Sequence, residues 1–195
     1  MPKTPQAEVT DGRRLRSERS RKAIIDAGLA LMDEGNLLPT AQQISDKAGV
    51  GIRSFFRHFA DMEALFAAVD DQIREGYEAK FIGGDRDGTL QERVRHAMER
   101  HADAYESLKN VILSSNAQLW RSEVVRKNYA RSQRGLRKDL EDWLPELRQL
   151  QRNQREAADA IASFEMWHRL RAHQGLGKER AIEIVTELLL GLIER

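Results

Sequence analysis

The sequence predicts an all-α protein. Only four prolines interrupt its 195 residues, and Ala, Leu, Arg, Glu and Gln, all good helix formers, are abundant. No segment alternates apolar and polar residues with β-branched enrichment, the pattern of a half-buried strand. Apolar residues recur instead at i, i+3, i+4 and i+7.

Residues 1–12 mix Pro, Thr, Asp and Gly without periodicity and read as a disordered N-terminal arm. From Arg13 to Lys22 there are six basic residues and one acid, leading into a helix with Ile24, Ala27, Gly28 and Leu31 on one face. Gly35 stands where a left-handed residue ends such a helix. Pro39-Thr40 opens a second helix, with Thr40 as N-cap and Ala41, Ile44 and Ala48 turned inward. "AGVG" closes it, because Gly49 can take the positive φ of a sharp turn. A short third helix spans Ile52 to His58. A long fourth runs from Met62 to about Phe81, with Leu65, Phe66, Val69, Ile73 and Tyr77 on its buried side. "GGDRDGT", Gly83 to Thr89, reads as a linker. Beyond it, helices are expected near 90–106, 108–119, 122–143, 154–173 and 177–194, with "WLPELRQLQRNQRE" as a polar, mobile interruption. The domain plan is therefore an arm over 1–12, a helix-turn-helix domain over 13–61 and a helical domain over 62–195.

Lys and Arg number 32 against 31 Asp and Glu, so only local clustering can speak for nucleic acid. The absence of cysteine excludes a disulfide frame and thiolate metal sites. No apolar run approaches the ~20 residues of a membrane span, and the first twelve residues lack a leader's apolar stretch. A cytoplasmic protein without membrane contact is expected. Catalysis is not: "HExxH", "GxSxG", the phosphate-cradling loop and "GxGxxG" are all missing. Among the histidines, His58, His96, His101, His168 and His173, two pairs are five apart. That spacing is about 140° around an α-helix, so neither pair faces one metal ion. No metal site, cofactor or enzymatic activity is expected.

Three patterns carry the functional reading. In residues 20–59, two helices joined by a tight glycine turn match the helix-turn-helix plan, whose second helix enters a major groove. Phe55 and Phe59 fall on one face of the third helix with Ile52 flanking, while Arg53, Phe56 and Arg57 point away. An αα-hairpin inside a bundle is the alternative. From Arg126 to Lys138, Lys127, Arg131, Arg134 and Lys138 form a basic stripe, read as a solvated face or as a contact for nucleic acid or an acidic partner. In "AIEIVTELLLGLI", Ile182, Val185, Leu189 and Leu192 form one stripe, widened by Ile184, Leu188 and Ile193. The preceding helix, with Ala157, Ala160, Ile161, Phe164 and Trp167, is equally broad. Helices this apolar need burial on two sides, which a second copy in a two-fold four-helix bundle provides. A large monomer core is the alternative.

The residues Ile24, Ala27, Leu31 and Gly35, then Thr40, Ile44 and Ala48-Gly49-Val50, then "FFRHF" and Glu63-Ala64-Leu65, resemble the TetR family of one-component transcriptional regulators. The resemblance implies a homodimer binding a palindromic double-stranded DNA operator, mostly as a repressor. Each subunit would bind an unidentified small-molecule effector, whose arrival tilts the fourth helix and changes the spacing of the two reading heads. It implies that Thr40 caps the second helix and touches a phosphate, and that Gln42 points toward the groove. Ile52 and Arg53 would read base edges, while Arg57 and His58 lie nearer the backbone. Gly51 stands where the family often has Ser or Thr, Phe56 where it often has Tyr, and Met62 where it often has Lys. These departures remove a cap and two phosphate contacts. Arg13, Arg14 and Arg16, on a basic segment suited to phosphates or a minor groove, are expected to compensate together with Arg57.

Within the helical domain, Met98, His101, Tyr105, Trp120, Trp143, Phe164 and Trp167 are the candidates for an apolar, aromatic-lined effector pocket, or else core filler. The dimer surface is expected on the last two helices, at Ile161, Phe164, His168, Ile182, Val185, Leu189 and Leu192. A helical adaptor module, its basic patches meeting acidic proteins, is the competing function.

Overall fold

The computed structural model describes residues 6–81 and 83–194, and among these there is no strand. The helices are α1 (Gln6–Asp33), α2 (Ala41–Lys47), α3 (Ile52–His58), α4 (Met62–Ala79), α5 (Leu90–Asn116), α6 (Glu123–Trp143), α7 (Arg152–Ile161), α8 (Phe164–His168) and α9 (Lys178–Ile193). A 3-10 turn occupies Pro145–Gln149 and a π turn Arg169–His173. Among the described residues, no helix is long and apolar enough to cross a membrane.

The chain forms two compact units. One runs to Ile73 and takes in Asn110–Asn128; the other takes Arg74–Lys109 and the chain from Tyr129 onward. The boundary expected after Asp61 therefore falls inside the first unit. The reason is packing: Leu65, Ala68 and Val69 of α4 belong to the same buried cluster as Ile24, Ile44, Phe55 and Phe59. Side chains of segment 110–128 are hydrogen-bonded to the C-terminal end of α1 and its following loop. Asn110 Nδ2 donates to Asp33 O and Ser114 Oγ to Leu37 O, each at 2.8 Å. Val124 N donates to the Glu63 carboxylate at 3.0 Å, which closes an otherwise open N-terminal amide of α6.

Helix α1 starts at Gln6, so the arm expected over 1–12 is helical from that residue, and residues 1–5 lie outside the described residues. Gln, Ala, Glu and Arg are good formers, and Arg14 meets Glu18 at 3.7 Å one turn on. Thr40 caps α2 in a reciprocal box with Gln43. Gly49, at φ +66°, ends α2 with Gly49 N donating to Asp46 O and Val50 N to Ser45 O, the paired bonds of a left-handed cap.

The two helices expected over 90–119 are one, α5, because nothing near Ser107 breaks the backbone pattern. The helix expected over 154–173 is instead divided at Ala162–Ser163, where Ser163 Oγ accepts from Met166 N and starts α8. The polar interruption after α6 is partly ordered: Leu147 is buried, and Arg93 bonds both Glu146 and the Trp143 carbonyl.

Candidate nucleic-acid interface and regulatory cleft

Helix α3 is held by one face. Phe55 and Phe59 are 0% and 2% exposed, their rings 5.8 Å apart. The seven-residue helix cannot bury more, so its other face is left to solvent: Arg53 and Arg57 are exposed, and Phe56 is 53% exposed. Ile52 is half-buried against the core cluster, so the structure commits much of this expected reader to packing. Gly51 caps α3 without a side-chain bond, and Arg57 donates to Ser54 Oγ at 2.8 Å. His58 is half-buried with its Nε2 unpartnered; burial first, then Arg57 and Arg21, hold its pKa below the ordinary 6.5.

The flanking elements show more exposed polar groups in the same unit. Thr40 and Gln42 are exposed at the start of α2, with Gln42 bonded to Asp46 at 2.7 Å. Arg21 lies 5.1 Å over the Phe59 ring. Arg13, Arg14 and Arg16 are exposed on α1, and Arg16 Nε donates to Gly12 O. They are therefore helical cations rather than cations on a flexible arm.

In the second unit, five of the seven pocket candidates gather. Rings run in contact from Phe81 to His101 (5.5 Å), His101 to Tyr105 (5.9 Å) and Tyr105 to Phe164 (5.6 Å). Met98 and Trp167 border the same space. Tyr105 donates to Ala162 O at 2.8 Å, and burial raises its pKa well above 10. The rings fill the interior, leaving voids of about 10 Å³, room for a water at most. Trp120 is 79% exposed after α5, in the other unit. Trp143 is buried elsewhere, under the Arg86 guanidinium.

A cleft of about 180 Å³ lies beside Glu106, Lys109, Phe164, His168 and Arg171. A larger one, about 490 Å³, has Tyr77, Phe81 and Leu136 as apolar wall and Arg86, Lys138 and Asp139 among its polar groups. Arg86 Nη2 donates to Asp139 Oδ1 at 2.8 Å, and His101 Nε2 donates to Asp139 Oδ2 at 3.1 Å. Burial, with Glu165 nearby, pushes the Tyr77 phenol up to about 12. Periodicity had no means of finding this cleft. Arg86 belongs to the glycine-rich stretch read as a linker, and Lys138 to the stripe read as a solvated face or a contact for nucleic acid or an acidic partner.

Two further expectations are corrected. The π turn carries His173 back over His168, with ring centroids 5.2 Å apart, because i and i+5 share a face there. Even so, among the described residues no group of three or more His, Asp or Glu is placed to hold a metal ion. On α9, Ile182, Val185 and Leu189 are 0–4% exposed, so the stripe expected at a dimer surface is this chain's own core. Phe164 is buried too, against Tyr105, whereas Ile161, His168 and Leu192 are half-buried. The open face of α9 carries Leu188, 43% exposed, with Ile184 half-buried and Gly191 exposed.

Residues 24–69, from α1 into α4, match the family model of bacterial regulatory proteins, tetR family. No curated protein matches the chain closely enough in sequence to count as similar. Among solved structures, a transcriptional regulator from Rhodococcus sp. Rha1 aligns with a TM-score of 0.65 at 17% identity, covering 90% of this chain and 96% of that one. A protein of Streptomyces coelicolor A3(2), also described as a transcriptional regulator, aligns with a TM-score of 0.60 at 20% identity, covering 91% and 99%. At these identities the likeness is one of fold, and it extends over the helices beyond the matched domain. The matched segment, which holds the capped second helix, the glycine turn and the short third helix, is thus similar to the DNA-binding domain of the tetR family of bacterial regulatory proteins.

Proposed function

We propose that the protein is an effector-responsive transcriptional repressor that binds a palindromic DNA operator as a homodimer and leaves it when a small molecule binds the second unit. One observation carries the reading. A short helix anchored by two buried phenylalanines displays Arg53, Phe56 and Arg57 to solvent, in the unit that also exposes Arg13 and Arg16. Arg53 suits bidentate contact with guanine, and Phe56 suits a thymine methyl. Thr40, Gln42, Gly51 and His58 supply backbone contacts. The partner copy would seat on α8 and the open side of α9, where Leu188 is uncovered and Gly191 permits close approach.

Selection from a randomised duplex pool tests this. A palindromic site is expected, since a two-fold dimer presents two equal reading helices about one or more helical turns apart. A recovered site without two-fold symmetry would sink the dimer reading. The adaptor reading is favoured by one feature, Trp120 standing 79% exposed with Arg121 6.0 Å from its ring. Titration of random duplex at low and high salt separates the two, because an adaptor shows no strongly salt-dependent affinity for DNA.

A further inference from the structure

The 490 Å³ cleft of the second unit is of the size that small-molecule sites have. Its polar wall is built around one guanidinium. Arg86 lies 5.1 Å over the Trp143 ring, and a single donor, Nη2, is tied to Asp139. Asp139 is in turn gripped by buried His101, so the anchor cannot swing. The loop carrying Arg86 is pressed onto the same indole: at Gly84, φ +95°, an added Cβ would stand 2.7 Å from Trp143. Among the described residues, the other Arg86 N–H groups have no acceptor, and the side chain is 34% exposed. A guanidinium anchored by an aromatic ring and one carboxylate oxygen, with donors left over, can receive a second carboxylate through two parallel bonds.

The acids that face the cleft do not cancel this. Asp139 is occupied by Arg86 and His101, and Asp142 by Arg148 at 2.7 Å. Glu78 remains, against the cation Lys138 on the same walls. Tyr77 and Phe81, ring centroids 5.6 Å apart, line the same cleft together with Leu136.

We propose that this cleft binds an aromatic carboxylate, its carboxylate on Arg86 and its rings against Tyr77 and Phe81. The proposal rests on the reading of the second unit as the effector-binding one, and it names the effector's chemical class.

Calorimetric titration of the full chain, without DNA, with biphenyl-4-carboxylate, biphenyl-4-carboxamide and biphenyl-4-methylamine is the test. The carboxylate should bind at least about tenfold more tightly than the uncharged amide, the difference a charge-assisted pair makes. Arg86→Gln should abolish that preference. Arg86→Lys, which keeps the charge without the fork, should retain only part of it, and it decides the matter if Arg86→Gln lowers the helical signal. Equal affinity for acid and amide, tighter binding of the amine, no saturable binding of the acid, or a preference that survives both substitutions would each overturn the assignment. A random-duplex titration in parallel separates the two readings. DNA binding without carboxylate preference removes the ligand class and keeps the regulator. Carboxylate preference without DNA binding does the reverse.

Discussion

In the unit that contains α3, Arg13, Arg19 and Arg53 are exposed and, among the described residues, have no acidic partner, whereas in the other unit Arg86, Arg93, Arg137, Arg155 and Arg171 each hold a carboxylate oxygen at 3.0 Å or closer. The same type of side chain is thus left unneutralised at these positions of the first unit and used as cross-bracing at those of the second. An unpaired surface arginine contributes little to folding, but it offers a full charge and five donors to a polyanion. A half-buried paired one ties elements together and is silent toward DNA. Near-zero net charge hides this division, which is why the charge total is uninformative while the distribution is not.

Four experiments bear on the contrast, beginning with the largest effect. Replacing Arg53 and Arg57 together by Ala should weaken the proposed DNA binding by about 1–3 kcal/mol per lost base or phosphate contact. The melting free energy should move by no more than about 0.5 kcal/mol. A matching loss of stability would mean these arginines brace the fold after all. Arg93→Ala should do the opposite. It strands Glu146 and the Trp143 carbonyl and should cost about 1–2 kcal/mol of stability in denaturant titrations, leaving the affinity of the folded protein for DNA unchanged.

Changing Arg13, Arg14 and Arg16 to Ala sharpens the first half of the comparison. The slope of log affinity against log salt should flatten by about 0.9 for each phosphate contact removed, and an unchanged slope would exclude these cations from the interface. The smallest effect concerns pH. His58 and His168 both have pKa values held below 6.5, chiefly by burial, so on acidification the unfolded chain takes up their protons first. Their contribution is complete above pH 6.5 and is lost as pH falls through the lower folded-state values. Melting temperature should therefore drop in that window. His58→Gln should flatten part of the fall and His168→Gln another part.

How much of this could be read beforehand depended on the range of the forces involved. The cap at Thr40, the turn at Gly49 and the inward Phe55 and Phe59 follow from neighbours within five residues, and the structure shows each of them. The all-α class follows likewise from local propensity. Where burial is decided by distant segments, sequence patterns misled. Ile182, Val185 and Leu189 read as an interface stripe, yet packing within the chain takes all three. Trp120 read as a pocket wall or core filler from its apolar neighbours, and in the structure it stands 79% exposed. The Arg86 cleft was invisible because its chemistry comes from a nonhelical stretch brought against α6 by the fold.

The π turn at Arg169–His173 bears on which lengths of this chain the fold will accept. Its Gln174 N to Arg169 O bond closes a ring one residue larger than an α-helical turn does. Deleting one residue there, the exposed Ala172 for instance, leaves an ordinary α-turn with His168 and His173 four apart and still on one face. The same deletion at the start of α9 would rotate the rest of that helix by about 100° and bring Ile182, Val185 and Leu189 out of the core. The helix that ends at His173 can therefore tolerate a shorter gene, while its successor cannot.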